Sequence, residues 1–121
     1  MQELIRLANA DPLARRWACG ASFDMIWGIG DDLYRLCIRD GLISELTATD
    51  HRLISWDFAI RGPRAVWQAH WQDPPPPNHH DIIALRTAGA ITIEGNLKPF
   101  FANILYVKRI LELPRFERIE A

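Results

Sequence analysis

The sequence predicts an α+β domain with a mainly antiparallel five-stranded sheet and helices packed on one face. Four runs between residues 22 and 61 alternate apolar and polar side chains, which is the period of strands that bury one face. Segments at both ends of the chain repeat apolar residues at steps of three and four, as amphipathic helices do. Strands grouped together and separated in sequence from most helices are typical of α+β domains.

The 121 residues are predicted to form one domain over residues 1–121, because this length can bury a core without disulfides or metals. Hydrophobic residues make up 49% of the chain and charged residues 24%, so the composition is that of a globular protein. Five tryptophans and five phenylalanines are a heavy aromatic load. Such side chains dominate cores, interfaces and ligand pockets, and they favour a pocket without proving one.

The charge pattern argues against nucleic acid as the main partner, since the net charge is −1 and no basic stripe is visible. No secretory signal is evident, and no run approaches the roughly 20 apolar residues that span a bilayer. We therefore expect a cytoplasmic protein without stable membrane insertion. Cys19 and Cys37 are isolated, and we expect reduced thiols, although a bridge between them stays open at this point.

Two helices are predicted before the first strand, within residues 2–18. Asp11 suits the N-cap of the second helix, and Pro12 suits its first position, where a missing N–H costs little. Cys19 and Gly20 are predicted to end this helix.

Four strands follow, and their apolar positions alternate with polar ones. In the first, second and fourth strands these positions are Phe23, Met25, Trp27 and Ile29, then Tyr34, Leu36 and Ile38, then Ile54, Trp56, Phe58 and Ile60. Asp40 and Gly41 predict a type I′ hairpin turn before the third strand at residues 42–47, since both central residues of that turn need positive φ.

The fourth and fifth strands are separated by two helical segments. The predicted elements are a helix over residues 64–72, a polyproline spacer over 74–77 and a helix over 81–88. Asn78 is the expected N-cap of the second helix and Gly89 its left-handed C-cap. Ile91 and Ile93 mark the fifth strand, which could be a parallel neighbour of the fourth through a right-handed crossover.

One long helix is predicted over residues 98–113, with Asn96 as its cap, Pro99 in its first turn and Pro114 at its end. Its apolar face consists of Leu97, Phe100, Phe101, Ile104, Leu105 and Leu111. This face either fills a core or forms the wall of a cavity, and the residues leave both interpretations open. Lys108 and Arg109 interrupt it, which predicts that the later half of the helix reaches solvent at the cavity mouth.

The segment after the second of these helices carries a family resemblance. Gly89, Ile91, Ile93, Glu94, Gly95 and Asn96 resemble the glycine-led strand and turn that precede the C-terminal helix in the sterol carrier protein 2 family. The family more often has Asp at the last position, and Asn serves equally as a cap. The order of elements along most of the chain is also similar. The resemblance implies a hydrophobic tunnel between sheet and helices that binds fatty acyl chains, sterols or other lipids without chemistry.

Nine residues are the candidates for contact with such a ligand: Trp27, Leu36, Trp56, Phe58, Trp67, Phe100, Phe101, Ile104 and Leu105. Each of them could equally be an ordinary core residue. A dimer interface would absorb the same aromatic surplus. The leading hypothesis is therefore non-catalytic binding of an apolar ligand. The alternative is an interaction module with a filled core, either a homodimer or the partner of a separately encoded enzyme.

Catalysis, metal binding and cofactors are not predicted. No Cys pair, HExxH motif or GxSxG elbow is present, and Gly28 and Gly30 do not form a dinucleotide fingerprint. The histidines are interpreted as solvated loop or cap residues; they are His51, His70, His79 and His80.

Overall fold

A computed structural model of the chain describes residues 1–49 and 55–117. The helices within these residues are α1 (Glu3–Ala10), α2 (Pro12–Ala18), α3 (Arg64–His70), α4 (Ile82–Thr87), α5 (Leu97–Ala102) and α6 (Ile104–Glu112), and a 3-10 turn follows at Leu113–Arg115. The strands are β1 (Phe23–Ile29), β2 (Asp32–Arg39), β3 (Leu42–Ala48), β4 (Phe58–Gly62) and β5 (Thr92–Gly95). The predicted α+β class with a five-stranded sheet is confirmed.

The sheet is mixed, which corrects the prediction of a mainly antiparallel sheet. Its strand order is β3-β2-β1-β4-β5, and β1 and β4 run parallel with Met25 opposite Phe58. The other neighbouring pairs are antiparallel. Alternation determines which side chains share a face, but it says nothing about which strand lies beside which or in what direction. The sequence pattern therefore could not predict that the central strands β1 and β4 pair in parallel.

β4 and β5 are neighbours, but they run antiparallel with Ile60 opposite Ile93, so the expected parallel crossover was wrong. The two short helices α3 and α4 bring the chain back to the end of the sheet where β4 stops. A Cβ added to Gly62 would lie 2.6 Å from Cγ2 of Ile91, which shows how closely the returning chain passes. β5 therefore begins beside the end of β4 and runs back along it.

Several predicted caps and turns are confirmed. Asp11 caps α2, and its Oδ2 accepts a hydrogen bond from the backbone N–H of Ala14 at 2.9 Å. The hairpin turn has φ of 51° at Asp40 and 77° at Gly41, as a type I′ turn requires. Gly89 has φ of 77° directly after α4, the left-handed conformation that ends helices.

Two element boundaries differ from the prediction. α4 is capped by Asp81 instead of Asn78, and Oδ1 of Asp81 accepts a hydrogen bond from the backbone N–H of Ile83 at 2.9 Å. β4 begins only at Phe58, and Ile54 lies outside the described residues. A nearer carboxylate therefore takes the capping role that the sequence analysis assigned to the amide.

The predicted single helix over residues 98–113 is broken at Asn103, where φ is −121° and ψ is 27°. The side-chain Nδ2 of Asn103 donates to the carbonyl oxygen of Pro99 at 2.9 Å, and its backbone N–H donates to the same oxygen at 3.1 Å. Asn competes for backbone groups in this way and is therefore a poor residue for a helix interior. The C-terminal segment is accordingly two short helices.

The helices cover one face of the sheet. Alternate strand residues form this helix face: Phe23, Met25, Trp27, Ile29, Leu36, Ile38, Phe58, Ile60 and Ile93. The helical residues in the same core include Leu4, Ala8, Ala14, Ala18, Trp67, Ile82, Leu85, Phe100, Tyr106, Val107, Ile110 and Leu111. The opposite side, here named the charged face, carries Asp24, Arg35, Arg39, Arg61 and Glu94.

Side chains of α1 and of the residue before it hydrogen-bond to the backbone of β3. Asn9 makes two such bonds with Ile43: Nδ2 donates to the carbonyl oxygen at 3.0 Å, and Oδ1 accepts from the N–H at 2.8 Å. Nε2 of Gln2 donates to the carbonyl oxygen of Leu46 at 2.6 Å. These bonds attach the first helix to the outermost strand on that side of the sheet.

Both cysteines are free thiols, which settles the bridge that the sequence left open; Cys19 is exposed and Cys37 is buried. Burial raises the pKa of the Cys37 thiol. Among the described residues, no helix has both the length and the apolar character needed to cross a bilayer.

Candidate ligand-binding site

The nine predicted site residues fall into three groups by exposure. Five are buried, with at most 1% of their surface exposed: Trp27, Leu36, Phe58, Trp67 and Phe100. Trp56 and Ile104 are half-buried. Phe101 is 52% exposed and Leu105 is 51% exposed. The structure therefore places the candidates at different depths.

The buried aromatic residues pack against one another. Trp27 and Trp67 meet edge to face at 5.6 Å, and Phe58 and Phe100 do so at 5.5 Å. These are the separations of aromatic pairs in direct contact. Nε1 of Trp67 donates to the carbonyl oxygen of Gly28 at 3.0 Å. These side chains therefore form a packed layer between the sheet and the helices.

An open space lies among the helices, next to this layer at the contact of Trp67 with His70. It is a cavity of about 200 Å³ lined by Trp17, His70, His80, Asp81, Ile82, Leu105, Lys108, Arg109 and Glu112. We call it the helix groove. Its walls come from α2, the C-terminal end of α3, α4, α6 and the chain just before α4. Leu105 is the member of the predicted set that lines it, and Lys108 and Arg109 line it as well. The expectation that the later half of the predicted helix reaches solvent is wrong, because Tyr106, Val107, Ile110 and Leu111 are buried.

Sequence reasoning missed Trp17, Ile82 and His70 as part of this site. Trp17 and Ile82 belong to separate helices that meet α6 only in the folded chain, and their helical spacing indicated core positions. His70 was interpreted as a solvated residue, which is wrong because only 1% of its surface is exposed. Its place at the buried C-terminal end of α3, three residues after Trp67, is the one local signal that could have indicated burial.

The charged side chains of the helix groove are paired. Nε and Nη2 of Arg109 donate to the two carboxylate oxygens of Asp11, both at 2.8 Å, and Nη1 of Arg109 donates to Glu112 at 3.1 Å. Nζ of Lys108 lies 3.0 Å from Oδ2 of Asp81. The bidentate arginine–carboxylate geometry is the strong form of this interaction. Each of these two cations thus already has a carboxylate partner.

These pairs shift the pKa values of their members. The hydrogen bond from Arg109 lowers the pKa of Asp11, and the same bond raises the pKa of Arg109. Burial alone would raise the pKa of Asp81, but hydrogen bonds from the N–H of Ile83 and from Lys108 outweigh burial and lower it. The groove therefore holds ionised groups of both signs near neutral pH.

His70 lies at the inner wall of the helix groove. Its Nδ1 is 2.7 Å from the carbonyl oxygen of His79, and its ring meets Trp67 edge to face at 5.9 Å. Its Nε2 is buried and has no hydrogen-bond partner among the described residues. Burial lowers the pKa of His70, and the hydrogen bond to His79 opposes that shift.

The site offers no arrangement typical of metal binding in the part of the chain that the structure describes. No group of three His, Cys, Asp or Glu side chains there could hold a metal ion. Nδ1 of His79 lies 2.9 Å from the carbonyl oxygen of Pro77, so this ring takes part in a local turn. His51 lies outside the described residues.

Comparison with known proteins gives a fold. A scan against protein-family models finds no match, and a search of curated proteins finds no relative. Among solved structures, the crystal structure of sterol carrier protein 2 matches this chain with a TM-score of 0.74 and 15% sequence identity. The matched region spans 94% of this chain and 92% of sterol carrier protein 2. This chain has the sterol carrier protein 2 fold.

Two further structures have the sterol carrier protein 2 fold. One is a conserved hypothetical protein of Thermus thermophilus, named as a sterol carrier candidate, with a TM-score of 0.66 and 16% identity. That match spans 93% of this chain and 83% of the Thermus protein. The other is UbiJ-SCP2, named as a ubiquinone synthesis protein, with a TM-score of 0.58 and 10% identity. That match spans 98% of this chain and 89% of UbiJ-SCP2. The resemblance inferred from Gly89 and the residues after it is thus confirmed as a statement about the fold.

Proposed function

We propose that this chain binds an apolar ligand, a fatty acyl chain, a sterol or another lipid, without catalysing a reaction. The observation that carries the proposal is the helix groove, whose wall joins Trp17 and Ile82 to the half-exposed Leu105. A ligand seated there would remove apolar surface from water at about 25 cal/mol per Å². A solved protein with the same fold is named sterol carrier protein 2, which supports this class of ligand.

The helix groove must widen to hold a whole lipid. Its volume is about 200 Å³, whereas sites for small molecules usually measure about 300–1,000 Å³. The break at Asn103 provides the place where α5 can move relative to α6. α5 is six residues long, and Phe100 is its buried residue. In our proposal, the ligand runs from the groove past Leu105 and displaces α5 outward.

The predicted site residues take different roles in this proposal. Phe101, Ile104 and Leu105 form the entrance. The layer beneath includes Trp27, Leu36, Phe58, Trp67 and Phe100, which a ligand reaches once Phe100 has left its contact with Phe58. The half-buried Trp56 lies outside this core and stays a candidate for ligand contact. Their contact with a ligand stays a prediction.

The proposal is tested by titrating the purified protein with a fluorescent fatty acid and a fluorescent sterol. We expect saturable binding of at least one of them. Leu105→Asp places a charge at an exposed position of the groove wall and should weaken binding about tenfold or more, a change of about 1.4 kcal/mol.

Leu42→Asp is the matched control. Leu42 is 36% exposed on β3, away from the residues that line the helix groove, so this variant should bind like the wild type. Absence of saturable binding to the wild-type protein would refute the function. Equal affinities of the two variants would refute the location.

A second function is favoured by the exposed apolar side chains themselves. Phe101, Leu105 and Phe116 are each at least 51% exposed, and such side chains are typical of protein interfaces. The fold neighbour named as a ubiquinone synthesis protein supports a role beside a separately encoded enzyme. A homodimer is the other form of this alternative.

Sedimentation at low micromolar concentration separates the two functions. A monomer from which organic solvent extracts lipid supports ligand binding. A stable dimer without lipid that Phe101→Asp dissociates supports the interaction module. Two free thiols suit the reducing cytoplasm, where we place the protein in either case.

A further inference from the structure

We propose that the helix groove selects apolar ligands with a neutral hydroxyl head group, which donates a hydrogen bond to Nε2 of His70, over ligands with a carboxylate. This inference rests on the proposed function and names the head group that the site recognises.

The hydrogen bonds of His70 determine which ring nitrogen carries the proton. Nδ1 is 2.7 Å from the carbonyl oxygen of His79, and a carbonyl oxygen can only accept, so Nδ1 carries the hydrogen. Nη2 of Arg115 is 3.4 Å from the same Nδ1 and donates to the carbonyl oxygen of His70 at 2.7 Å. This positive neighbour and the burial of the ring disfavour a second proton. Nε2 therefore presents a lone pair.

This lone pair is the unsatisfied acceptor of the site. Nε2 of His70 is buried, and no described residue donates to it. A buried acceptor without a partner is unfavourable, and a donor on the ligand would remove that cost. A hydroxyl group can donate to it, whereas a carboxylate oxygen can only accept.

The charges of the groove also disfavour an anionic head group. Lys108 is paired with Asp81, and Arg109 is paired with Asp11 and Glu112, so a carboxylate would have to displace an existing partner. It would also lie close to the carboxylates of Asp81 and Glu112, which line the same groove.

The exposures of the lining residues orient the ligand. His70 is 1% exposed at the inner wall, whereas Leu105 is 51% exposed at the entrance. The hydroxyl head therefore enters first, and the apolar tail extends outward past Leu105 and Phe101. This arrangement places the polar contact at the buried end, where hydrogen bonds discriminate most strongly between ligands.

The test compares three ligands of similar size at pH 8, above the ordinary titration range of imidazole. Decan-1-ol, decanoate and 1-methoxynonane compete with a bound fluorescent sterol, dehydroergosterol. The ether matches the alcohol in heavy atoms but cannot donate a hydrogen bond. We expect the alcohol to displace the sterol at about tenfold lower concentration than either of the others, which corresponds to about 1.4 kcal/mol.

Two substitutions of His70 locate the preference. His70→Asn keeps a donor near the position of Nδ1 and removes Nε2, so the advantage of the alcohol should disappear. His70→Gln places its amide group near the position of Nε2 and should retain part of that advantage. Thermal unfolding of both variants checks that they fold.

The outcomes separate this inference from the function on which it rests. If the wild type binds none of the probes, the proposed function and this inference both fail. If dehydroergosterol binds but decanoate competes as well as decan-1-ol, or His70→Asn keeps the preference, the inference fails and the function stands. Nitrogen NMR of the unmodified protein provides a measurement without variants: a proton on Nε2 in place of Nδ1 would overturn the proposal.

Discussion

The two faces of the sheet differ in what covers them. On the helix face, aromatic and aliphatic side chains pack against the helices, and Phe58 and Trp27 are completely buried. On the charged face, Asp24 pairs with Arg35 at 3.1 Å and with Arg39 at 2.8 Å. The two faces alternate residue by residue along the same strands.

The two faces should therefore contribute differently to the stability of the fold. Burial of a large apolar side chain contributes about 1.5–3 kcal/mol, whereas an exposed ion pair such as Arg61 with Glu94 contributes about 0–1 kcal/mol. The pairs of Asp24 are not of this exposed kind, because only 17% of that side chain is exposed. We therefore expect the helix face to carry most of the folding free energy. The helix groove lies on that side of the molecule, so ligand binding and stability both depend on how the helices pack against the sheet.

The largest expected effect is a difference in stability between a substitution on the helix face and one on the charged face. Phe58→Ala removes a fully buried ring that packs on Phe23 and Phe100, and it should lower the free energy of unfolding by about 3–5 kcal/mol. Glu94→Ala, on the neighbouring strand, removes a 51% exposed carboxylate paired with Arg61 and should cost no more than about 1 kcal/mol. Urea unfolding measures both. Similar losses for the two variants would contradict the division between the faces.

An ion pair on the helix side of the molecule should contribute more to stability than the exposed pair of Arg61 and Glu94. Asp11 caps α2 and binds Arg109 of α6, and the two side chains are only 12% and 15% exposed. Asp11→Ala should cost about 2–3 kcal/mol, because charge-assisted hydrogen bonds and a cap are lost together.

Asp11→Asn provides the control, since the amide oxygen can still cap α2. It should recover about 1 kcal/mol of the stability that Asp11→Ala loses. Chemical unfolding of both variants decides the point, and equal losses would show that the cap contributes nothing.

The smallest expected effect is the pH dependence of stability. Burial lowers the pKa of His70 in the folded state below its ordinary value of about 6.5, so the unfolded chain binds the proton more readily. Stability should therefore fall as the pH decreases from about 6.5 toward the lowered value. Thermal unfolding at pH 8 and pH 5.5 should show a smaller difference for His70→Gln than for the wild type; an equal difference would exclude His70 as the source.

The carboxylates contribute at lower pH, where their own protonation takes place. The hydrogen bond from Arg109 keeps the pKa of Asp11 below its ordinary value of about 3.9, so this contribution is present above that value and is lost as the pH falls below it. The wild type and Asp11→Asn should differ less in stability at pH 2.5 than at pH 7.

The sequence predicted the features that depend on neighbouring residues. Asp40 and Gly41 both need positive φ in their turn, and Asp11 precedes a proline at a helix start, so these local rules sufficed. Alternation also identified the helix-face positions of β1, including Trp27, but it missed Ile26, which is buried on the opposite face. The fold itself was predicted from the family resemblance of the segment that begins at Gly89, because alternation alone could not identify it.

The features that the sequence missed depend on residues distant in the chain. The parallel pairing of β1 with β4 follows from where the chain returns after two hairpins. The break at Asn103 arises because its side chain takes the carbonyl of Pro99, a competition that apolar spacing does not register. The helix groove joins Trp17, His70 and Leu105 from separate helices, so periodicity could identify each surface but could not bring them together.

The bonds between the first helical segment and β3 bear on whether a strand of another chain can pair with this edge of the sheet. β3 is an outer strand of the sheet, and free N–H and C=O groups on such a strand form a template on which another chain can pair. The side chain of Asn9 occupies both backbone groups of Ile43, and Gln2 occupies the carbonyl of Leu46. The first helix therefore takes the place that a sixth strand from another molecule would occupy.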